Sequence, residues 1–291
     1  MKSDLRNVRF DHSKHPGTAF EIVSLESIIH REDLDHDHLS PHLIRFYLMI
    51  FVLEGSGKHT IDFVDHAYEK GTVLTVRKDQ IHSFHISDAK GYLLVFTDEF
   101  VLSFLENSSV QKVKELFNEL LFPQSSLLTA QQYQECVMIL DEISKEFYQY
   151  ADDHSSGIVR SLLQVLANKI YRSRSAYQVR KDHKYMRQFL ELQELIEQNC
   201  KSNRAVKYYA NELNVTTKTL NNITQYVLNK SPKTFIDEVL MLQIKRQLIN
   251  TDLTIKEIAY HSGFDEPSNL FKFFRRFSSQ TPEQFRATFA I

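Results

Sequence analysis

The stretch GFDEPSNLFKFFRRF, Gly263 to Phe277, sets five phenylalanines among three cationic side chains, directly after a cluster of turn-favouring residues. Read as a helix, it divides into two faces. At about 100° per residue, Leu270, Phe271, Phe273, Phe274 and Phe277 share one broad face, while Ser268, Asn269, Lys272, Arg275 and Arg276 fill the other. Gly263 suits the left-handed end of a preceding helix, and Asp265 is placed to cap the next. Pro267 fits a first turn, where its missing N–H costs nothing. The apolar face asks for a core. The opposite face carries short polar groups followed by cations, the chemistry that reads base edges and neutralises phosphates when a helix lies in a DNA major groove. A plain amphipathic helix with a solvated basic side has the same pattern, so the segment alone does not decide.

Self-similarity in the flanking sequence decides it. YANELNVTTKTLNNITQYVLNKSPKTF (Tyr209 to Phe235) aligns with IAYHSGFDEPSNLFKFFRRFSSQTPEQF (Ile258 to Phe285). Ala210 and Val215 match Ala259 and Phe264 at an offset of 49. After one extra residue in the second turn, Leu220, Val227, Pro232 and Phe235 match Leu270, Phe277, Pro282 and Phe285 at an offset of 50. Each copy reads as a short helix, a tight turn, a second helix and a Ser/Thr-Pro opening the next element. In the first copy the second helix sets Leu220, Ile223 and Val227 against an outer face of Lys218, Asn221, Asn222 and Gln225. These are two helix-turn-helix units with similarly built outer faces. A linker helix over about Lys233 to Asn250 is long enough to hold them roughly one DNA turn, ~34 Å, apart.

This half resembles the C-terminal domain of the AraC-type transcription regulators. The residues that carry the resemblance are TIKEIAYHSGFDEPSNLFKFFRRFSSQTPEQFR, with Ile258-Ala259, Gly263-Phe264, Phe274, Phe277, Thr281-Pro282 and Phe285-Arg286, and the weaker YYANELNVTTKTL and KSPKTFI. It covers about Tyr185 to Arg286. The resemblance implies base-facing roles for Lys218, Asn221 and Asn222 in the first unit and for Ser268, Asn269 and Lys272 in the second. Gln225, Arg275 and Arg276 fall nearer the phosphates. Where the family usually has a glycine after each recognition helix, this chain has Asn229, which still tolerates a left-handed conformation, and Ser279, which does so less easily.

The N-terminal half reads differently. Five of the seven glycines fall within the first 91 residues, among short aromatic and β-branched runs. LIRFYLMIFVLEGSGKHTIDF from Leu43 gives two strands around Gly55-Ser56-Gly57, followed by GTVLTVRKDQIHSFHI and GYLLVFTDEF. The expectation is an antiparallel β-barrel or sandwich, with an arm and an entry strand before Leu43. It resembles the cupin-like sensory barrel that precedes the DNA-binding domain in many such regulators. His42, Arg45, Tyr47, Phe51, Phe63, His82 and Phe84 are candidate lining for an effector, an organic acid or an apolar molecule with one polar end. Filling of the barrel by the same aromatics is the competing reading. No metal is expected: His36, His38, His42, His59, His82 and His85 are available, but the His-x-His and Glu pattern of cupin enzymes is missing. Two helical stretches follow, about Ala130 to Tyr150 and His154 to Arg174, a hairpin able to cover the barrel or pair with a second copy. The family resemblance implies dimerisation here, with Val137, Leu140, Ile158, Leu162 and Val165 as candidates.

The expected fold class is therefore α+β: a cupin-like antiparallel β-barrel with a helical hairpin, then an all-α domain of two helix-turn-helix units joined by a linker helix. The expected boundaries are residues 1–172 for sensing and dimerisation, a polar linker over 173–184, and 185–291 for DNA binding. Charge is consistent with that division. Residues 184–291 hold 15 Lys plus Arg against 11 Asp plus Glu, a net of +4, which leaves −6 for residues 1–183 out of −2. The longest apolar run, Phe46 to Leu53, is too short to span a bilayer, and the first residues lack the apolar core of a secretory signal, so a cytoplasmic protein is expected. Cys136 and Cys200 form no metal-binding spacing and read as reduced thiols. The functional expectation is a ligand-responsive, homodimeric transcription regulator, an activator, with no cofactor. Its partners would be promoter or operator double-stranded DNA, a small-molecule effector and RNA polymerase. Two alternatives stand beside it: a cupin-type metal-dependent enzyme tethered to DNA, and a regulator controlled by a protein partner without small-molecule ligand.

Overall fold

A computed structural model describes residues 7–8, 19–30, 37–102, 113–175 and 183–289. They form two compact units, one within residues 7–179 and one within 180–291.

The first unit is built on two five-stranded sheets. One takes the order β1 (Asn7–Val8), β3 (His42–Ile44), β8 (Ile81–Phe84), β5 (Ser56–Ile61), β6 (Val64–Glu69). The other takes the order β10 (Ser125–Leu127), β7 (Thr72–Val76), β4 (Tyr47–Glu54), β9 (Lys90–Phe96), β2 (Phe20–Ser24). Pairing is antiparallel except between β1 and β3. Short helices α1 (Leu25–Ile29) and α2 (Asp98–Leu102) follow β2 and β9. The central strand β4 explains the unbroken run FYLMIFVL. Leu48, Ile50 and Val52 point into the space between the sheets with Ile44, Ile61, Leu74, Val76, Phe84, Leu93 and Val95. Tyr47, Met49 and Phe51 point the other way, into a second core shared with Phe96, Leu140 and Leu166. A strand buried on both faces has no polar face to alternate with. Asp62 and Phe63, both at positive φ (44° and 72°), make the tight turn between β5 and β6.

The second core is closed by the helical hairpin. Helix α3 (Ala130–Lys145) starts with a capping box between Thr129 and Gln132 and runs into a π-helical turn, Glu146–Tyr150. Ala151, left-handed at φ 47°, ends that turn before α4 (Ser155–Ser175) begins. Cys136, Leu140 and Ile143 of α3 and Val159, Leu166 and Ile170 of α4 pack on the outer face of the second sheet. Tyr92 Oη donates to Asp141 Oδ1 at 2.9 Å and Tyr133 Oη to the Leu53 carbonyl at 3.3 Å, fixing α3 to the strands.

The end of α4 corrects one expectation. Ser173 and Arg174, placed in the linker from the sequence, are buried within this unit. The Arg174 guanidinium donates to Ser126 Oγ (3.0 Å), Thr75 Oγ1 (3.1 Å), and the carbonyls of Leu116 (3.0 Å) and Val73 (3.3 Å). Burial lowers its pKa to about 10. A stretch read as polar in sequence thus ends a helix, which runs to Ser175, by locking it into the sheet.

The second unit is helical: α5 (His183–Asn199), α6 (Val206–Glu212), α7 (Thr217–Leu228), α8 (Pro232–Asn250), α9 (Ile255–His261), α10 (Pro267–Arg275) and α11 (Pro282–Phe289). The repeat is visible residue by residue. Helices α6 and α9 coincide at an offset of 49, and Pro232 and Pro282 open α8 and α11 at an offset of 50. In the turns, Asn214 (φ 53°) and Gly263 (φ 73°) are left-handed counterparts. The amide of Val215 donates to the Ala210 carbonyl (2.9 Å) as that of Phe264 does to Ala259 (3.0 Å). Helix α8 packs on α5, α7, α9 and α11, with Phe235, Leu240, Ile244 and Leu248 buried.

Candidate nucleic-acid interface and sensory site

The outer faces of α7 and α10 rest on their inner ones. In α7, Leu220, Ile223, Thr224 and Val227 are buried, Thr216 caps the start through its hydroxyl, and left-handed Asn229 (φ 55°) closes the end. Lys218, Asn221, Asn222 and Gln225 are all exposed. In α10, Leu270, Phe273 and Phe274 are buried, while Ser268, Asn269, Lys272, Arg275 and Arg276 are exposed. The nine residues read from sequence as DNA-facing thus lie on the outward sides of the two second helices. The geometry suits groove insertion: amide, hydroxyl and ammonium groups on a rigid ridge.

Two details differ from expectation. The cap of α10 is Glu266 in extended conformation, with no side-chain hydrogen bond, rather than Asp265; a residue before proline is driven out of the helical region. Helix α10 also ends at Arg275, with Arg276 still right-handed, whereas α7 runs to Leu228. Ser279 does not adopt the left-handed conformation that Asn229 uses to finish the longer helix. Arg276, read as a phosphate contact, also reaches back: its Nη2 lies 3.4 Å from Oδ2 of buried Asp237 on α8, which Lys233 meets at 2.7 Å.

The seven candidate effector-lining residues do not converge. His42, His82 and Phe84 are buried on the inner face of the first sheet. Tyr47 and Phe51 lie on the far side of the second sheet, where Tyr47 meets Phe117 (centroids 5.2 Å) and Phe51 stacks on Tyr133 (5.8 Å). Arg45 is exposed and paired with Asp79, and Phe63 sits in the β5–β6 turn. Strand alternation separates Tyr47 and Phe51 from the histidines, a parity that a wholly apolar run does not reveal.

Inside the sheets the histidines form a contiguous row. His42 lies against His82 (centroids 4.3 Å), and His82 Nδ1 is 3.1 Å from His59 Nε2. Burial, then the neighbouring His42, His85 and His66, lowers the His59 pKa to about 3, so it is neutral at physiological pH. Among the described residues no group of three or more His, Cys, Asp or Glu side chains is placed to hold a metal ion. His36 lies outside the described residues.

A cleft of about 50 Å3 opens instead between the second sheet and α4. Its walls are apolar, with Met49, Phe96, Phe117 and Leu163 prominent, and Arg160 and Gln164 supply polar groups. The Arg160 guanidinium stands over the Phe100 ring at 5.6 Å, and burial lowers its pKa. Sequence reasoning missed these residues because the helical pattern of α4 gives no sign of a gap beneath it. Of the five candidate dimer residues, Leu140 is fully enclosed and Val137 and Leu162 pack against the same core. That corrects their assignment: they serve the hairpin's own packing. Ile158 and Val165 are exposed at 41% and 46%.

Comparison with known proteins places this architecture. Residues 25–207 match the AraC-like ligand binding domain, and residues 209–288 match a helix-turn-helix domain. The chain belongs to the AraC-type transcription regulators. Solved structures similar to it include ToxT from Vibrio cholerae strain SCE256 with an unsaturated fatty acid bound, at 16% identity over 92% of this chain and 95% of that one, with a TM-score of 0.46. An AraC-type transcriptional regulator from Chromobacterium violaceum matches at 20% identity over 38% of this chain and 97% of that one, with a TM-score of 0.35. No curated protein matches the chain. Among the described residues no helix is long and apolar enough to cross a membrane.

Proposed function

We propose that the chain is a sequence-specific, cytoplasmic activator of transcription that binds promoter DNA through both helix-turn-helix units and recruits RNA polymerase. One observation carries this reading: two similarly built helix-turn-helix copies, each backing an exposed polar and cationic ridge with fully buried Leu220 and Ile223 or Leu270 and Phe274. Lys218, Asn221, Asn222, Ser268, Asn269 and Lys272 face bases; Gln225, Arg275 and Arg276 face phosphates. The working division is a sensory and dimerisation domain ending in α4 and a DNA-binding domain from about residue 185. Ile158 and Val165, one heptad apart on α4, supply an outward apolar stripe for a homodimer contact. Tandem engagement raises affinity through effective concentration, and an effector with a few kcal/mol of differential affinity suffices to switch occupancy.

The effector site moves from the barrel interior, which core side chains fill, to the apolar cleft beneath α4. Its apolar walls and Arg160 match the chemistry of an apolar molecule with an acidic end, for which a cleft of about 50 Å3 has to widen, since small-molecule sites run to about 300 Å3 or more. The packed interior equally supports a second reading, control by a protein partner in place of a small molecule. Selection of bound genomic fragments with and without candidate metabolites tests both. An enriched motif that sharpens with one metabolite supports the effector reading, a motif indifferent to all of them supports the partner, and no motif sinks the DNA-binding proposal.

A further inference from the structure

Beside α10 lies a cleft of about 330 Å3 that recognition-helix reasoning does not explain. One wall is the stripe Asn269, Lys272, Phe273 and Arg276; the other includes Arg204, from the loop between α5 and α6 that leads into the first helix-turn-helix copy. Gly263, Phe264 and Asp265 of the second copy's turn complete the lining. Three cations against one carboxylate leave the cleft positive.

Arg204 is held, not loose. Its guanidinium stacks over the Phe264 ring at 4.3 Å and Nη2 donates to the Gly263 carbonyl at 2.6 Å. The loop that carries it is itself fixed. The Ala205 amide donates to Asn203 Oδ1 (3.0 Å), and Tyr209 Oη donates to the Asn203 carbonyl (2.7 Å). The Lys201 carbonyl lies so close to Gly263 that a Cβ there would come within 1.8 Å of it. A guanidinium has five N–H donors in a planar fork, so one bond to Gly263 leaves others for a ligand, and the stack sets the plane of the fork in advance. Little side-chain freedom remains to be lost on binding.

Resting on the DNA-binding reading above, we infer that Arg204 and Arg276, beside base-facing Lys272, form a seat for one phosphodiester of the DNA backbone bordering the groove that α10 enters. The contact ties the two helix-turn-helix copies within the helical unit: the loop leading into the first copy neutralises a phosphate beside the reading helix of the second. The first copy thus contributes to the second half-site without touching its bases.

The test is the salt dependence of binding by the full chain. The duplex is the highest-affinity one recovered from random-sequence selection against the wild type. Each phosphate neutralised contributes about 0.9 to the slope of log K against log[salt]. Arg204→Gln is expected to reduce that slope by roughly 0.9, while Arg204→Lys, which keeps the charge and loses the stack, retains it. An unchanged slope in Arg204→Gln overturns the inference, and so does lower affinity in both variants at the wild-type slope, the mark of a purely structural clamp. If glutamine melts the unit, the wild type on duplexes carrying single methylphosphonates decides: a slope smaller by roughly 0.9 at one position bordering that groove supports the seat, and no change at any of them overturns it. If the wild type selects no duplex at all, the DNA-binding reading falls as well.

Discussion

Gly263→Ala is the substitution with the largest consequence that the structure supports. Gly263 is left-handed (φ 73°), a conformation that costs an L-residue about 1–2 kcal/mol. The added methyl would also sit 1.8 Å from the Lys201 carbonyl oxygen, a backbone atom in the loop held by Asn203 and Tyr209. Relieving that overlap requires the turn and the loop to part, a strain of the kind that costs about 1–3 kcal/mol in overpacked cores. Together these remove about 2–5 kcal/mol from a unit whose stability is on the order of 5–15 kcal/mol. Calorimetry of the full chain should show the transition of the helical unit falling by roughly 10 °C or more, with that of the β-sheet unit unmoved. Gly263→Asn separates the two causes, because asparagine tolerates the left-handed turn, as Asn214 does in the first copy, yet still meets Lys201. Gly157→Ala is the opposite control: nothing lies within 4 Å of its Cβ position near the start of α4, so it should raise stability by about 0.5–1 kcal/mol. A Gly263→Ala protein as stable as the wild type would refute both the turn geometry and the close packing against Lys201.

Three further outcomes are expected. The folded His59 pKa of about 3 lies below the ordinary value of about 6.5, so as pH falls through 6.5 the unfolded chain takes up a proton that the folded one refuses. The stability of the β-sheet unit should therefore fall as pH drops below 6.5, and His59→Phe should flatten that part of the profile in urea titrations at stepped pH. Arg174→Ala strands Thr75, Ser126 and two carbonyls in a closed core and should cost at least about 3 kcal/mol in chemical denaturation. Lys272→Ala should lower operator affinity by about 1–3 kcal/mol and relax sequence preference, while Arg275→Ala weakens all duplexes alike; gel shifts over a panel of operator variants distinguish them.

How legible each half was in the sequence follows from the kind of signal it carries. The helical unit announces itself through punctuation. Asn214 and Gly263, Asn229, Pro232 and Pro282 fall at places where backbone geometry restricts the choice of residue, and their repetition at offsets of 49 and 50 fixes the register. The outward ridges follow from 3.6-residue periodicity once the buried positions are known. The β-sheet unit lacks such marks where it matters. β4 is buried on both faces, so nothing in FYLMIFVL tells Tyr47 and Phe51 from Leu48 and Ile50, and the proposed pocket mixed the two sides. Leu140 carries the same apolar periodicity whether it faces its own sheet or a second copy. Arg174 and Arg204 look like surface cations in a string, and only tertiary contacts give them partners 48 to 101 and 59 residues away.

The central claim is that two similar ridges, those of Lys218 and of Lys272, grip one duplex together. Hydroxyl-radical footprinting of the full chain on its selected operator tests it most directly, alongside Lys218→Ala and Lys272→Ala. Two protected patches about one helical turn, roughly 34 Å, apart on one side of the duplex are the expected result, each variant erasing its own patch first. A single patch, or protection that neither substitution alters, would contradict the account.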